Sequence, residues 1–285
     1  MERTLSQNES RVVLDLEWRG QKIVTLAEVR ETLACSAGYA RFLVHQLIKK
    51  GWLERIRPGL YQLVPAERGR AGVADTNPLV AGAVLVSPYF FSFGTACTHH
   101  GLTEQVFSEV FIVTRVRRKP QIVRGKRFVF VPVSEERFYG FTEQRVLGAA
   151  VQMATVERAL IDALDRPRYG GGIGEVSRIV ARAATRVSWN GLIDCFRRFG
   201  VSAVAQRLGY LLEVNGADVP ADALAGLRDL VRPGSKIPLG PGAKWGRHGS
   251  LSRAWGVIEN VPHDVLIESG ARSKRRVAFG KKRAT

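Results

Sequence analysis

Within residues 20–64 the apolar pattern switches from strand to helix, to a second helix, and back to strand. That succession leaves few folds open. Ile23-Val24 is a β-branched pair, enough for a short strand. Thr25 is a good N-cap, and Glu28 three residues on completes a capping box. Leu26, Val29 and Leu33, with Arg30 between them, mark one stripe over two helical turns. Cys35-Ser36-Ala37-Gly38 reads as the turn, with Ser36 as the next N-cap. A second helix is predicted over 37–50. It ends at Gly51, after two lysines that suit a helix C-terminus. Residues 52–57, Pro58-Gly59 and residues 60–64 then read as a β-hairpin with a Pro-Gly turn. A short strand, two helices across a tight turn and a closing hairpin make a winged helix-turn-helix.

The second helix has two faces. Ala40, Leu43, Val44, Leu47 and Ile48 recur at helical spacing and should pack inward. Gly38, Arg41, Phe42, His45 and Lys49 fall on the opposite stripe, with Tyr39 on its flank. A recognition helix reads base edges with the outer residues of its N-terminal half. Arg41 can fork onto a guanine, and Phe42 can pack only apolar surface such as a thymine methyl. Lys49, Lys50, Arg55 and Arg57 lie where phosphates would run. The candidate DNA-contacting set is therefore Ser36, Tyr39, Arg41, Phe42, His45, Lys49, Lys50, Arg55 and Arg57. The competing reading is a winged helix that contacts protein.

Charge points the same way. The 285 residues carry 43 Lys+Arg against 26 Asp+Glu, a net +17, so polyanions or acidic proteins are the expected partners. The densest positive segment is 271–285, with 7 basic residues and no acidic one. It is too poor in apolar residues to fold alone and is expected to be disordered. It serves either as a nonspecific nucleic-acid arm or as a solvated tail. Cys35, Cys97 and Cys195 are far apart and odd in number, which points to a reducing cytoplasm rather than disulfides or zinc. The polar start and the interrupted apolar run over 79–93 predict neither a signal peptide nor a membrane span.

The predicted organisation has four parts: the winged helix-turn-helix over 1–64, a linker over 65–78, an α/β domain over 79–262, and a basic tail over 263–285. A first helix over 1–19 should brace the front domain through Val12, Val13, Leu16 and Trp18. In the second domain, 88–100 reads as a helix ending at Gly101. Residues 110–114 and 127–133 read as strands, and 142–151 as a strand pair about Gly148. Helices follow over 155–164, 173–185, 189–199, 202–214 and 221–231, and a strand over 250–260. The fold class is thus α/β (α+β): a winged helix plus a larger mixed domain with strands early and helices late.

The residues make a poor case for catalysis. Gly170-Gly171-Gly172-Ile173-Gly174 precedes a helix, but no strand feeds it and no Gly-Lys-Ser/Thr follows, so it reads as a helix-to-helix connection. His99 and His100 are adjacent, and adjacent helical side chains point about 100° apart, which does not suit one metal. Arg158 and Asp162 are an i, i+4 pair, read as a surface or interdomain salt bridge. In RLGYLLE (207–213), Leu208, Leu211 and Leu212 have core spacing, Gly209 permits close packing, and Arg207 and Glu213 should face solvent or each other's neighbours. No metal, no cofactor and no nucleophile-and-base set is expected.

Several strings resemble the AbiEi-type antitoxins of abortive-infection (type IV) toxin–antitoxin pairs: HHGLTEQ (99–105), ERALIDALDRPRYGGGIGEV (157–176), RLGYLLE (207–213) and WGVIEN (255–260), with KKGWLERIRPGLY (49–61) in the winged helix. Order and spacing agree over roughly residues 20–262. The resemblance implies a cytoplasmic phage-defence protein that is not an enzyme. Its front domain would repress its own operon by binding promoter DNA, and its back domain would neutralise a nucleotidyltransferase-like toxin encoded next door. The alternative is a stand-alone transcriptional regulator whose second domain binds a ligand or oligomerises. A distant third is a nucleic-acid enzyme using His99 or His100.

Overall fold

The structure is a computed structural model that describes residues 4–66, 77–146 and 149–267. The linker residues 67–76 and the tail from 268 onward lie outside the described residues.

The front domain is built on α1 (Gln7–Trp18), β1 (Ile23–Thr25), α2 (Leu26–Leu33), α3 (Ala37–Lys49), β2 (Leu53–Arg57) and β3 (Leu60–Leu63). The strands form one antiparallel sheet in the order β1-β3-β2. Both N-terminal helices begin with capping boxes, Ser6 with Glu9 and Thr25 with Glu28. Val12, Val13, Leu16, Val29, Ala40, Leu43, Val44, Leu47, Trp52 and Leu53 close a small separate core. Trp18 departs from expectation. It points away from that core and is 87% exposed, because the inward stripe of α1 is already filled by Val12, Val13 and Leu16.

The larger domain opens with α4 (Pro78–Gly82), β4 (Tyr89–Phe91), α5 (Phe93–His99), β5 (Glu109–Thr114), β6 (Gln121–Val123), β7 (Lys126–Pro132), β8 (Phe141–Val146) and β9 (Ala149–Ala154). These strands make a mixed six-stranded sheet, β6-β7-β5-β4-β9-β8. Five helices follow, of which α6 packs against β9 and the others pack mainly on one another: α6 (Val156–Asp165), α7 (Ile173–Ala183), α8 (Trp189–Phe199), α9 (Ser202–Val214) and α10 (Ala221–Asp229). The region predicted as one helix over 88–100 splits into β4 and α5. Phe90 and Phe91 are fully buried on a strand inside the sheet, so both of its faces are apolar and no alternation marks it.

The end of the described chain adds β10 (Ile237–Pro238), α11 (Gly242–Trp245), β11 (Ser250–Ser252), β12 (Val257–Glu259) and α12 (His263–Leu266). The one strand expected over 250–260 is two, paired antiparallel, with β10 parallel on the other side of β12. Trp255 anchors this small sheet. It is fully buried, and a Cβ on Gly209 would stand 2.2 Å from its ring, so only glycine lets α9 come this close. The tail expected from residue 263 begins with an ordered turn instead: α12 packs on α7 and buries Leu266 completely.

The i, i+4 pair Arg158–Asp162 is the largest correction. It is not at the surface: the two side chains are 0% and 4% exposed, with Nε 2.9 Å from the carboxylate. Arg158 also donates to the carbonyls of Arg137 and Tyr139, while Ser92 Oγ donates to Asp162 at 2.6 Å. The rings of Phe90, Tyr139 and Phe199 surround the guanidinium at 5.3, 4.7 and 5.5 Å. This network ties β4, α6, α8 and the segment before β8 into one core.

Candidate nucleic-acid interface

The turn between α2 and α3 is short. Ala34 takes a left-handed conformation (φ 49°) and ends α2, and Ser36 starts α3 by accepting a hydrogen bond from the Tyr39 amide at 3.2 Å. Ala40, Leu43, Val44 and Leu47 are buried, and Ile48 packs partly against the same core. That burial fixes the rotation of α3 and turns the opposite stripe outward. Ser36, Tyr39, Arg41, Phe42, His45 and Lys49 are all exposed. Phe42 leaves 57% of its surface in solvent. Tyr39 lies beside it, ring centroids 6.2 Å apart, and its hydroxyl accepts from Asn8 of α1 at 2.9 Å.

The wing comes from the β2–β3 hairpin. Gly59 at φ +79° makes the turn, and its carbonyl accepts from the Leu26 amide, which ties the wing tip to the start of α2. Arg55 is exposed on β2. Arg57 ends the same strand after a bulge between residues 55 and 57, and its side chain lies outside the described residues. Lys50 leaves the expected phosphate-facing set, since its ammonium sits 2.7 Å from the buried Glu9 carboxylate and clamps α1 to the end of α3.

Two carboxyls hold the scaffold under this face. Burial pushes the Glu9 carboxyl up, but hydrogen bonds from Lys50 and Ser6 together with the Lys50 charge bring it below its ordinary 4.5. Burial also pushes Glu28 up, and Thr25, Gln21 and Arg19 outweigh it in the same way. Both carboxylates are favoured by folding, so their contribution is complete above pH 4.5 and is lost as pH falls through the lowered values. The melting temperature of the front domain, followed by circular dichroism, should therefore hold down to about pH 5 and drop below 4.5, and Glu9→Gln should reduce the drop. An equally steep acid drop in Glu9→Gln would contradict this assignment.

One contact has no signal in the sequence. Arg124, at φ +50° in the turn between β6 and β7, reaches from the larger domain into the wing. It donates to Gln62 Oε1 at 2.7 Å and sits 3.1 Å from Glu54. Those two residues face each other across β2 and β3, so a single guanidinium from one domain braces both wing strands of the other.

The histidines do not form a site. His100 Nε2 lies 2.7 Å from the Ala154 carbonyl at the C-terminal end of α5, and burial beside His100 lowers the His99 pKa. Among the described residues no group of three or more His, Cys, Asp or Glu could hold a metal ion, and no helix is long and apolar enough to cross a membrane.

The front domain is where a family model matches. Residues 11–64 match the model described as transcriptional regulator, AbiEi antitoxin. The match runs from the first helix to the last wing strand, and the AbiEi-like strings of the larger domain lie outside it. No curated protein matches the chain. Among solved structures, the crystal structure of the RV2827C protein from Mycobacterium tuberculosis is similar, with a TM-score of 0.65 over 90% of this chain and 92% of that one, at 16% identity. The two share a fold across the winged helix and the larger domain together. The exposed stripe of α3 therefore lies inside the segment that matches the antitoxin-regulator model.

Proposed function

We propose that this chain is the antitoxin of a toxin–antitoxin pair. Its winged helix binds the promoter of its own operon and represses it in the cytoplasm. Its larger domain neutralises a nucleotidyltransferase-like toxin from the adjacent gene. The observation that carries this reading is the outward stripe of α3, aromatic and cationic, inside the segment that matches AbiEi regulators. Arg41 and Phe42 read bases in the major groove, with Ser36, Tyr39 and His45 beside them. Lys49, Arg55 and Arg57 neutralise phosphates along the backbone. The domain is not built to act alone: Arg124 couples the wing to the larger domain, so toxin engagement there can be felt at the DNA.

Co-expression of the chain with the neighbouring toxin gene, alongside a promoter reporter, tests both halves in one culture. Wild type should protect cells and silence the reporter. Arg41→Ala should release the reporter and still protect. If Arg41→Ala loses protection while folded and equally abundant, neutralisation runs through DNA binding and the division of labour is wrong. If wild type gives no protection, the antitoxin half of the reading fails.

A further inference from the structure

The larger domain contains a cationic cavity that neither DNA binding nor the family match uses. Three arginines, Arg166, Arg168 and Arg207, line a space of about 450 Å³ between the end of α6, α9 and the loop after β10. Arg207 comes from the string in which it should have faced solvent. Instead it is largely buried, with Nη1 donating to the Leu164 carbonyl at 3.1 Å and Nε buried without a hydrogen-bond partner. Burial lowers its pKa, against the pull of Asp165. A guanidinium charge held in such a partly enclosed place is stabilised by an anion beside it. Among the described residues Asp165 is the only carboxylate lining this space, and Arg166 holds it at 3.4 Å.

A second space, of about 490 Å³, adjoins the first through Pro167, Arg168 and Pro241. It adds Lys244 and Trp245, whose ammonium and ring are 4.8 Å apart. Its carboxylates are Glu175, paired with Arg178 at 2.7 Å, and Asp264. Together the two spaces bring Arg166, beside Asp165, Arg168, against Tyr169, and Arg207 into adjoining cavities with the Trp245 ring, in the size range of small-molecule sites. Guanidinium forks match phosphoryl oxygens, and an aromatic face matches a base. A single carboxylate would leave most of these donors unused.

We infer that this cavity binds a nucleoside triphosphate, with the phosphates on Arg166, Arg168 and Arg207 and the base toward Trp245. The inference stands apart from the antitoxin reading, because neither the recognition helix nor the wing contributes to the cavity.

Fluorescence anisotropy of labelled ATP, titrated with the full chain at moderate salt, tests it. Binding should saturate at one site. Inorganic tripolyphosphate should displace the label, and adenosine should do so far less. Arg168 is exposed, so Arg168→Ala should leave the fold intact and weaken binding about tenfold. Arg207→Met should remove saturable binding, with its melting temperature measured alongside; should it fail to fold, Lys244→Ala, also at an exposed position, takes its place with a smaller loss. Arg41→Ala should bind ATP as wild type does. Unsaturable binding, or unchanged affinity in Arg168→Ala, would overturn the assignment. Displacement by short RNA or duplex DNA but not by tripolyphosphate would also overturn it, since the site would then belong to a nucleic-acid surface.

Discussion

Asp162→Ala is expected to destabilise the larger domain by about 3–5 kcal/mol, the cost of leaving an uncompensated charge in a protein interior. Arg158 would keep its two carbonyl acceptors and its three aromatic rings but lose Asp162, its ion-pair partner. Ser92 would lose its acceptor in the same step. Arg158→Met in the Asp162→Ala background should recover much of the loss, because replacing both members of a buried pair with apolar groups is often near neutral. Urea unfolding of the full chain checks both, with the larger domain's transition read separately from that of the winged helix. A shift below about 1 kcal/mol for Asp162→Ala would mean that the pair is solvated after all.

The burial of that pair shows where sequence reading stops. The i, i+4 spacing of Arg158 and Asp162 is visible locally, but nothing local says that Phe90, Tyr139 and Phe199 will close around it. The burial of Arg207 is hidden for the same reason, since its surroundings come from the end of α6 and the loop after β10. Helices were easier. The helices α6 to α9 begin within one residue of the predicted positions, because their apolar stripes repeat at 3.6 residues and two have side-chain caps, Thr155 and Ser188. Strands were legible when flanked by turn residues, as β5 and β7 were, and hidden when central or short. The short strand β6 at the sheet edge carries little pattern of its own, and β4 merged with the helix that follows it. In the candidate interface the outward stripe of α3 was legible from periodicity alone, since four buried apolar residues fix its rotation. The Lys50–Glu9 clamp and the Arg124 brace join residues 41 and more positions apart in the chain, and only the folded arrangement brings them together.

Arg41→Ala should cost about 1–3 kcal/mol in binding to the preferred promoter site, because a guanidinium forked onto a guanine edge cannot be replaced by a methyl group. The loss should fall on sequence choice. Affinity for random duplex should drop far less, since Lys49 and Arg55 remain exposed to neutralise phosphates. Arg55→Ala should do the reverse, weakening all sequences about equally and lowering the salt slope by roughly one unit. The most direct measurement is a titration of the purified chain on its own promoter fragment and on a scrambled duplex of equal length, at several salt concentrations, for wild type and Arg41→Ala. The account predicts tight promoter binding by wild type, and for Arg41→Ala a collapse of the promoter-to-scrambled ratio with the salt slope nearly unchanged. Equal ratios for the two proteins, or no promoter binding at low salt, would contradict it.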